Sequence, residues 1–296
     1  MSALDEWQRG VESLAKLLDA ALWSSERLAA ARRELACVSS TSWPERRAVV
    51  LDEQFALLEV LATSPRATVF AGLELTTGAD IAIKVLLPTP GFAIHRRELE
   101  RERELLSRLR HDHVVEMRGH GCAGTLPYLV TGRMLGGSLD AWLGRAPSKS
   151  ERLQVLRDAS SGLAAAASLD LAHGDVKPQN VLVSREGRGR LCDWGSERYT
   201  TVLFSPPERR VSTPPSPAGD VFSLGLVIAF ALRGWHETPA PNERADPNIW
   251  PVLATRGVDE PGLVELIARC VDPNPRARPS ARRVAQMLAP PPSALV

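Results

Sequence analysis

His173-Gly174-Asp175-Val176-Lys177-Pro178-Gln179-Asn180 places a carboxylate, an ammonium and an amide within a few residues of one another. A short apolar run, Val181-Leu182-Val183, follows, and a second carboxylate then stands in Asp193-Trp194-Gly195. These are residue types that hold charge and move protons. A polar loop would share the composition, but not the ordered series of motifs on either side of it. Lysine usage adds a second signal. Lys and Arg together number 36, yet Lys occurs only at Lys16, Lys84, Lys149 and Lys177. Lys84 and Lys177 both fall in the segments at issue, where a compact point charge differs from a guanidinium fork.

The segment from His173 to Asn180 resembles the H-R-D-x-K-P-x-N catalytic loop of Ser/Thr protein kinases, and Asp193-Trp194-Gly195 stands where that family has D-F-G. The resemblance implies that Asp175 orients or accepts the proton of an attacking hydroxyl and that Lys177 neutralises the transferring phosphoryl group. It also implies that Asn180 and Asp193 ligate magnesium beside ATP. Upstream, Ile81-Ala82-Ile83-Lys84 resembles V-A-I-K, so Lys84 would meet the nucleotide phosphates and a Glu of a following helix. The frame E-x-x-x-L-x-x-L-x-H, fixed on His111, selects Glu102, with Glu98 one turn earlier as the second choice. Val69 and Ala82 would flank the adenine, Thr131 would be the pocket gatekeeper, and Gly132 to Met134 the hinge. Downstream, Pro207-Glu208, Asp220-Val221-Phe222-Ser223-Leu224-Gly225 and Asp272-Pro273 to Arg278-Pro279 match later family motifs. They imply a buried structural ion pair between Glu208 and Arg278.

The chain departs from the family in two places. Counting back from Val69, the three nucleotide-loop glycines fall on Ala62, Ser64 and Ala67. Glycine lets backbone approach phosphate, and Pro65 at the loop tip has no N–H to give. Weaker ATP binding follows, not lost chemistry. The second departure is Gly174, which replaces the Arg of H-R-D, in a chain with few residues between Asp193-Trp194-Gly195 and Pro207-Glu208. Thr201 falls on the substrate-platform threonine, so the missing part is where a regulatory phosphosite sits. These features imply an enzyme not switched by activation-loop phosphorylation.

Two other readings remain open. A pseudokinase scaffold would suit the glycine-free loop, but Lys84, Asp175, Asn180 and Asp193 are all present. His-Gly-Asp with Asp-Trp-Gly also resembles aminoglycoside- and choline-kinase-type phosphotransferases of small molecules. Those generally lack the three downstream motifs found here.

The elements that must position these residues are legible in outline. Strand-like segments cover Phe55–Leu61, Val69–Leu75 and Ile81–Leu87, with a charged helix over Glu98–Arg110 and strands over Val114–Gly119 and Tyr128–Thr131. Beyond Gly136-Gly137 the pattern is mainly helical, and the apolar run Leu224–Leu232 reads as a buried helix, too short for a bilayer span. The expected architecture is α+β: a bilobal kinase-like domain over 52–290, with a mainly β N-lobe over 52–134 and a mainly α C-lobe over 135–290. An N-terminal helical extension covers 1–48, and 291–296 is a short tail. In the extension, Leu4, Trp7, Val11, Leu14 and Leu18 share one helical face, suited to a homodimer or partner contact or to bracing the N-lobe. A formal net charge of +1 gives no general attraction to nucleic acid or membrane. Four scattered cysteines form no metal-ligand spacing and suit a reducing cytoplasm, and the composition suggests a bacterial source. The implied cofactors are ATP and magnesium, and the implied partner is a protein substrate, with the chain itself as one candidate.

Overall fold

A computed structural model describes residues 49–89, 91–195, 203–209, 213–233 and 249–289. The amphipathic segment 1–38, Thr200, Thr201 and the tail lie outside the described residues. The described residues fall into two compact units. One comprises residues up to Leu99 with Met117–Arg133, and the other Glu100–Glu116 with the residues from Met134 onward.

The first unit is built on an antiparallel sheet of six strands. These are β1 (Val49–Leu51), β2 (Phe55–Thr63), β3 (Ala67–Glu74), β4 (Asp80–Leu86), β5 (Met117–Ala123) and β6 (Leu126–Gly132), in the order β1-β2-β3-β4-β6-β5. Alternation explains why the segments pair as they do, because successive side chains on a strand point to opposite faces. Ile81, Ile83 and Val85 of β4 join Phe70, Tyr128, Val130, Phe55 and Leu57 in one apolar core. The intervening Ala82 and Lys84 therefore lie on the other face. Strand β1 was not anticipated, because three residues are too few to show a period.

The strand expected over Val114–Gly119 is displaced. Residues from Met117 to Ala123 form β5, while Val114 bridges Leu191 and the Val115 N–H donates to the Leu191 carbonyl at 3.0 Å. A contact distant in sequence thus claims the start of the segment. The helix α1 (Phe92–Arg108) begins before the charged stretch that revealed it, since its first turn is apolar and carries no charge pattern.

The second unit is mainly helical, giving mixed α+β content overall. It contains α2 (Leu139–Leu143), α3 (Lys149–Ala167), α4 (Pro217–Arg233), α5 (Ile249–Thr255), α6 (Pro261–Cys270) and α7 (Ala281–Met287). A capping box opens α3: the Ser148 hydroxyl accepts the Glu151 N–H, and the Glu151 carboxylate accepts the Ser148 N–H. The α4 helix holds the apolar run and is buried from Gly219 to Ala229. Arg152 of α3 donates to the carbonyls of Ala231 and Leu232, which satisfies acceptors at the end of α4. No described helix is long and apolar enough to cross a membrane.

A small sheet completes the second unit. Its strands are β7 (Gly137–Ser138), β8 (Val181–Val183) and β9 (Gly189–Leu191), in that order. Val181 pairs with Leu191, so Asn180, just before β8, lies beside Cys192, just after β9.

Candidate functional site

In the second unit, the chemistry-bearing side chains cluster at one end of the β8–β9 hairpin. The Cys192 N–H donates to the Asn180 carbonyl at 3.0 Å, which brings Asn180 and Asp193 together across a dozen intervening residues. Pro178–Asn180 forms a single 3-10 turn, with the Asn180 N–H donating to the Lys177 carbonyl. That turn folds Lys177 and Asn180 back onto Asp175. Lys177 Nζ donates to Asp175 Oδ2 at 2.5 Å. Asn180 Nδ2 donates to the Asp175 carbonyl at 2.8 Å and to Asp175 Oδ2 at 3.3 Å. The amide nitrogen is thereby engaged, and Oδ1 is the end left for a cation. One oxygen of the Asp175 carboxylate, Oδ2, thus accepts from both an ammonium and an amide.

His173 ties this loop to the segment after β9. Its Nδ1 accepts the Asp175 N–H at 3.3 Å, so its Nε2 carries the proton and donates to the Cys192 carbonyl at 2.8 Å. Burial holds the imidazole below its ordinary pKa and keeps it neutral, despite the opposing charges of Asp175 and Asp193. Its ring stacks at a tilt on Trp194, 4.6 Å between centroids, and its carbonyl accepts the Gly195 N–H. Trp194 is buried and donates to the Leu191 carbonyl at 3.3 Å, so the larger ring in the place of Phe is packed and satisfied. Asp193 itself sits at φ 63°, a region Asp visits more readily than most residues.

Beneath the loop lies Asp220, near the start of α4. Its two oxygens accept the N–H groups of His173 at 2.7 Å and Gly174 at 2.9 Å. Burial pushes its carboxyl up to about 7, against those two hydrogen bonds and the nearby Arg209 charge. Sequence reasoning matched Asp220 to a motif but gave it no task. The signal was there: an acid heading an otherwise apolar buried helix needs a partner. Gly174 adopts φ 85°, where an L side chain is strained, so the backbone Asp220 grips suits glycine in place of arginine.

The Glu208–Arg278 pair inferred from sequence is present. Arg278 Nη1 and Nη2 meet the two Glu208 oxygens at 2.5 and 2.8 Å. Arg278 also donates to the carbonyls of Asp272 and Ala218, and lies 4.9 Å over the Phe222 ring. This fork joins the segment before α4 to the turn before α7. Met134, at the start of this unit, is buried, and its carbonyl accepts the Gly137 N–H.

In the first unit, pairing sets the expected nucleotide-contacting residues side by side. Ala62 faces Val69, Val69 faces Lys84, and Ala82 faces Thr131. Directly opposed residues share a face, so Ala62, Val69 and Lys84 form a row across three strands, on the face away from the apolar core. The β2–β3 turn closes this hairpin at Ser64-Pro65-Arg66. Glu98, the second choice for a Lys84 partner, lies 4.0 Å from Arg66. Glu102, the first choice, is only 5 % exposed. Among the described residues, no group of three or more His, Cys, Asp or Glu side chains is placed to hold a metal. A divalent cation here would take Asn180 Oδ1, the Asp193 carboxylate and oxygens of its ligand, an oxygen set that suits magnesium.

The family model for the protein kinase domain matches residues 58–288. The serine/threonine-protein kinase PknL of Mycobacterium tuberculosis is 29% identical over 214 residues, covering 66% of this chain and 53% of that protein. The serine/threonine-protein kinase pkn2 of Myxococcus xanthus is 30% identical over 288 residues, covering 83% of this chain and 33% of the relative. A probable leucine-rich repeat receptor-like protein kinase of Arabidopsis thaliana is 31% identical over 208 residues, covering 64% and 31% respectively. The chain thus spans about half or less of the length of these relatives.

Proposed function

The chain belongs to the protein kinase domain family, and on that premise we propose that it transfers the γ-phosphate of ATP to a Ser or Thr hydroxyl of a protein. The observation that carries this reading is the Asp175 carboxylate, whose Oδ2 accepts from Lys177 Nζ and Asn180 Nδ2 while Asn180 and Asp193 are brought together. In this reading Asp175 orients the attacking hydroxyl and receives its proton. Lys177 holds positive charge beside the transferring group, and Lys84 meets the phosphates. Glu102 is the residue that the family pattern assigns as the partner of Lys84. Its burial supports that role, and the engagement of Glu98 near Arg66 leaves Glu102 the better candidate. Bound magnesium, held by Asn180 and Asp193, would offset the negative charge of the phosphates.

The absence of an Arg at position 174 supports a further element of the proposal. An activation-loop phosphate would find no guanidinium there, so activity does not depend on one. Phosphatase treatment should leave the rate nearly unchanged, and a large drop would refute this element.

Radiolabel transfer from ATP to a generic protein substrate and to the chain itself tests the main reading. Asp175→Ala and Asp193→Ala should each abolish transfer while the unfolding temperature stays close to that of the parent. Parental activity in either variant would remove the kinase reading. The Glu208–Arg278 tie supports a protein substrate over a small one, and transfer to an aminoglycoside or choline in place of protein would reverse that choice. Residues 1–38 are our candidate for a homodimer or partner contact, which sedimentation of the full chain tests.

A further inference from the structure

The β2–β3 turn is closed on its own hydroxyl. Ser64 Oγ accepts the Arg66 N–H at 3.3 Å and the Ala67 N–H at 3.1 Å, and donates to the Ala67 carbonyl at 3.0 Å. Between them Pro65 has no N–H at all. Each backbone donor from 65 to 67 is therefore either missing or turned inward. Successive amides converging on a single oxygen form the kind of concavity that binds anions in other proteins. Here the oxygen is the chain's own.

Further bonds hold the turn. The Ser64 N–H donates to the Ala67 carbonyl at 2.9 Å, and the Leu87 N–H donates to the Arg66 carbonyl at 2.8 Å. The Arg66 guanidinium rests 4.0 Å from the Glu98 carboxylate on α1. The same hairpin carries Val69 opposite Lys84. A turn at this place in the sheet is therefore next to the row of residues assigned to the nucleotide, yet it has no amide directed outward.

We propose that Ser64 is an internal cap that withholds the turn's amides from the phosphates of a nucleoside triphosphate. This rests on the ATP-using reading above and adds a residue that sets nucleotide selectivity. With the amides occupied, the turn gives the terminal phosphate no backbone donor. The chain then distinguishes the triphosphate from the diphosphate poorly. Removing the hydroxyl frees two adjacent N–H groups while the Ser64 N–H to Ala67 carbonyl bond still closes the hairpin. The turn becomes a phosphate-binding one without any glycine.

The test is calorimetric titration of the full chain with MgATP and with MgADP, for the parent, Ser64→Ala and Ser64→Thr. The parent should bind the two nucleotides within about twofold of each other. Ser64→Ala should tighten MgATP about three- to tenfold, the worth of roughly one freed hydrogen bond, with a smaller change for MgADP. Ser64→Thr keeps an oxygen in place and should behave as the parent. Parental binding with no gain in Ser64→Ala overturns the cap and leaves the kinase reading standing. A gain seen only in Ser64→Ala supports it, whereas no binding by either protein removes both. Amide exchange in the parent covers the case in which the variant is poorly folded. The Arg66 and Ala67 amides should be protected without nucleotide and unchanged by MgATP. Protection that appears only on adding MgATP would show that these amides do reach the phosphates.

Discussion

Asp220→Asn should alter the pH dependence of stability more than the stability at any single pH. Asp220 is 4 % exposed, and its folded-state carboxyl is raised by burial from 3.8 to about 7. In the unfolded chain it titrates near 3.8. Between those values the folded protein holds a proton that the unfolded chain has released. Stability therefore falls as pH rises through that window and is flat on either side. At about 1.4 kcal/mol per pH unit, the whole window is worth about 4 kcal/mol. Asparagine cannot ionise, so the slope disappears from the variant. It also turns an NH₂ toward one of the two backbone N–H groups now bound by Asp220, which costs about 1–3 kcal/mol at every pH. Relative to the variant, the parent should lose about 2.5 kcal/mol of stability between pH 5 and pH 7.5. Urea unfolding of both proteins at the two pH values measures this, with every other titrating group common to both. A difference that stays constant within about 0.5 kcal/mol would refute the argument. It would mean that the two N–H groups keep Asp220 ionised despite its burial.

Glu208→Gln should cost about 2–4 kcal/mol, less than a fully buried pair because the Glu208 side chain is 30% exposed while Arg278 is at 0%. Urea midpoints should show Glu208→Gln/Arg278→Met to be less damaging than Glu208→Gln alone, since the lone guanidinium is then gone. Gly225→Ala should lower the thermal midpoint by the equivalent of about 1–3 kcal/mol. A Cβ there would lie 2.6 Å from Cys270 Cβ and 3.0 Å from Val271 Cγ1, so α4 and α6 would have to part. Asp158 is buried, which raises its pKa, but the Arg188 hydrogen bond and the Gly189 N–H outweigh burial and hold it below the ordinary value. Its stabilisation is present above the unfolded carboxylate range and lost as pH falls below it, so Asp158→Asn should flatten the acid limb of a stability–pH curve.

Much of the site was legible because its spacing is short. Asp175, Lys177 and Asn180 fall within one loop and a single 3-10 turn, so local backbone geometry suffices to bring them together. Ala62, Val69, Lys84, Ala82 and Thr131 were named by the resemblance to the family, and the strand pairing sets Ala62 opposite Val69, Val69 opposite Lys84 and Ala82 opposite Thr131. The Glu208–Arg278 pair spans a long separation, and only the resemblance to a family made it visible in advance.

Other features depended on contacts that no local pattern encodes. The start of β5 moved because Val114 and Val115 bond to Leu191, and the His173–Asn180 loop stands on Asp220, many residues later. His173 acquired its neutral state and its proton position from burial against Trp194 and the Cys192 carbonyl. The missing glycines were plain in the sequence, but what replaced them was not: the Ser64 hydroxyl's choice of two amides is a matter of turn geometry. By itself the sequence determined which residue types were available and which faces of strands and helices were apolar, because periodicity and short-range geometry are properties of the chain. Only the tertiary structure decided which buried polar groups meet and which protons they carry, because a desolvated donor or acceptor must find a partner wherever the fold supplies one.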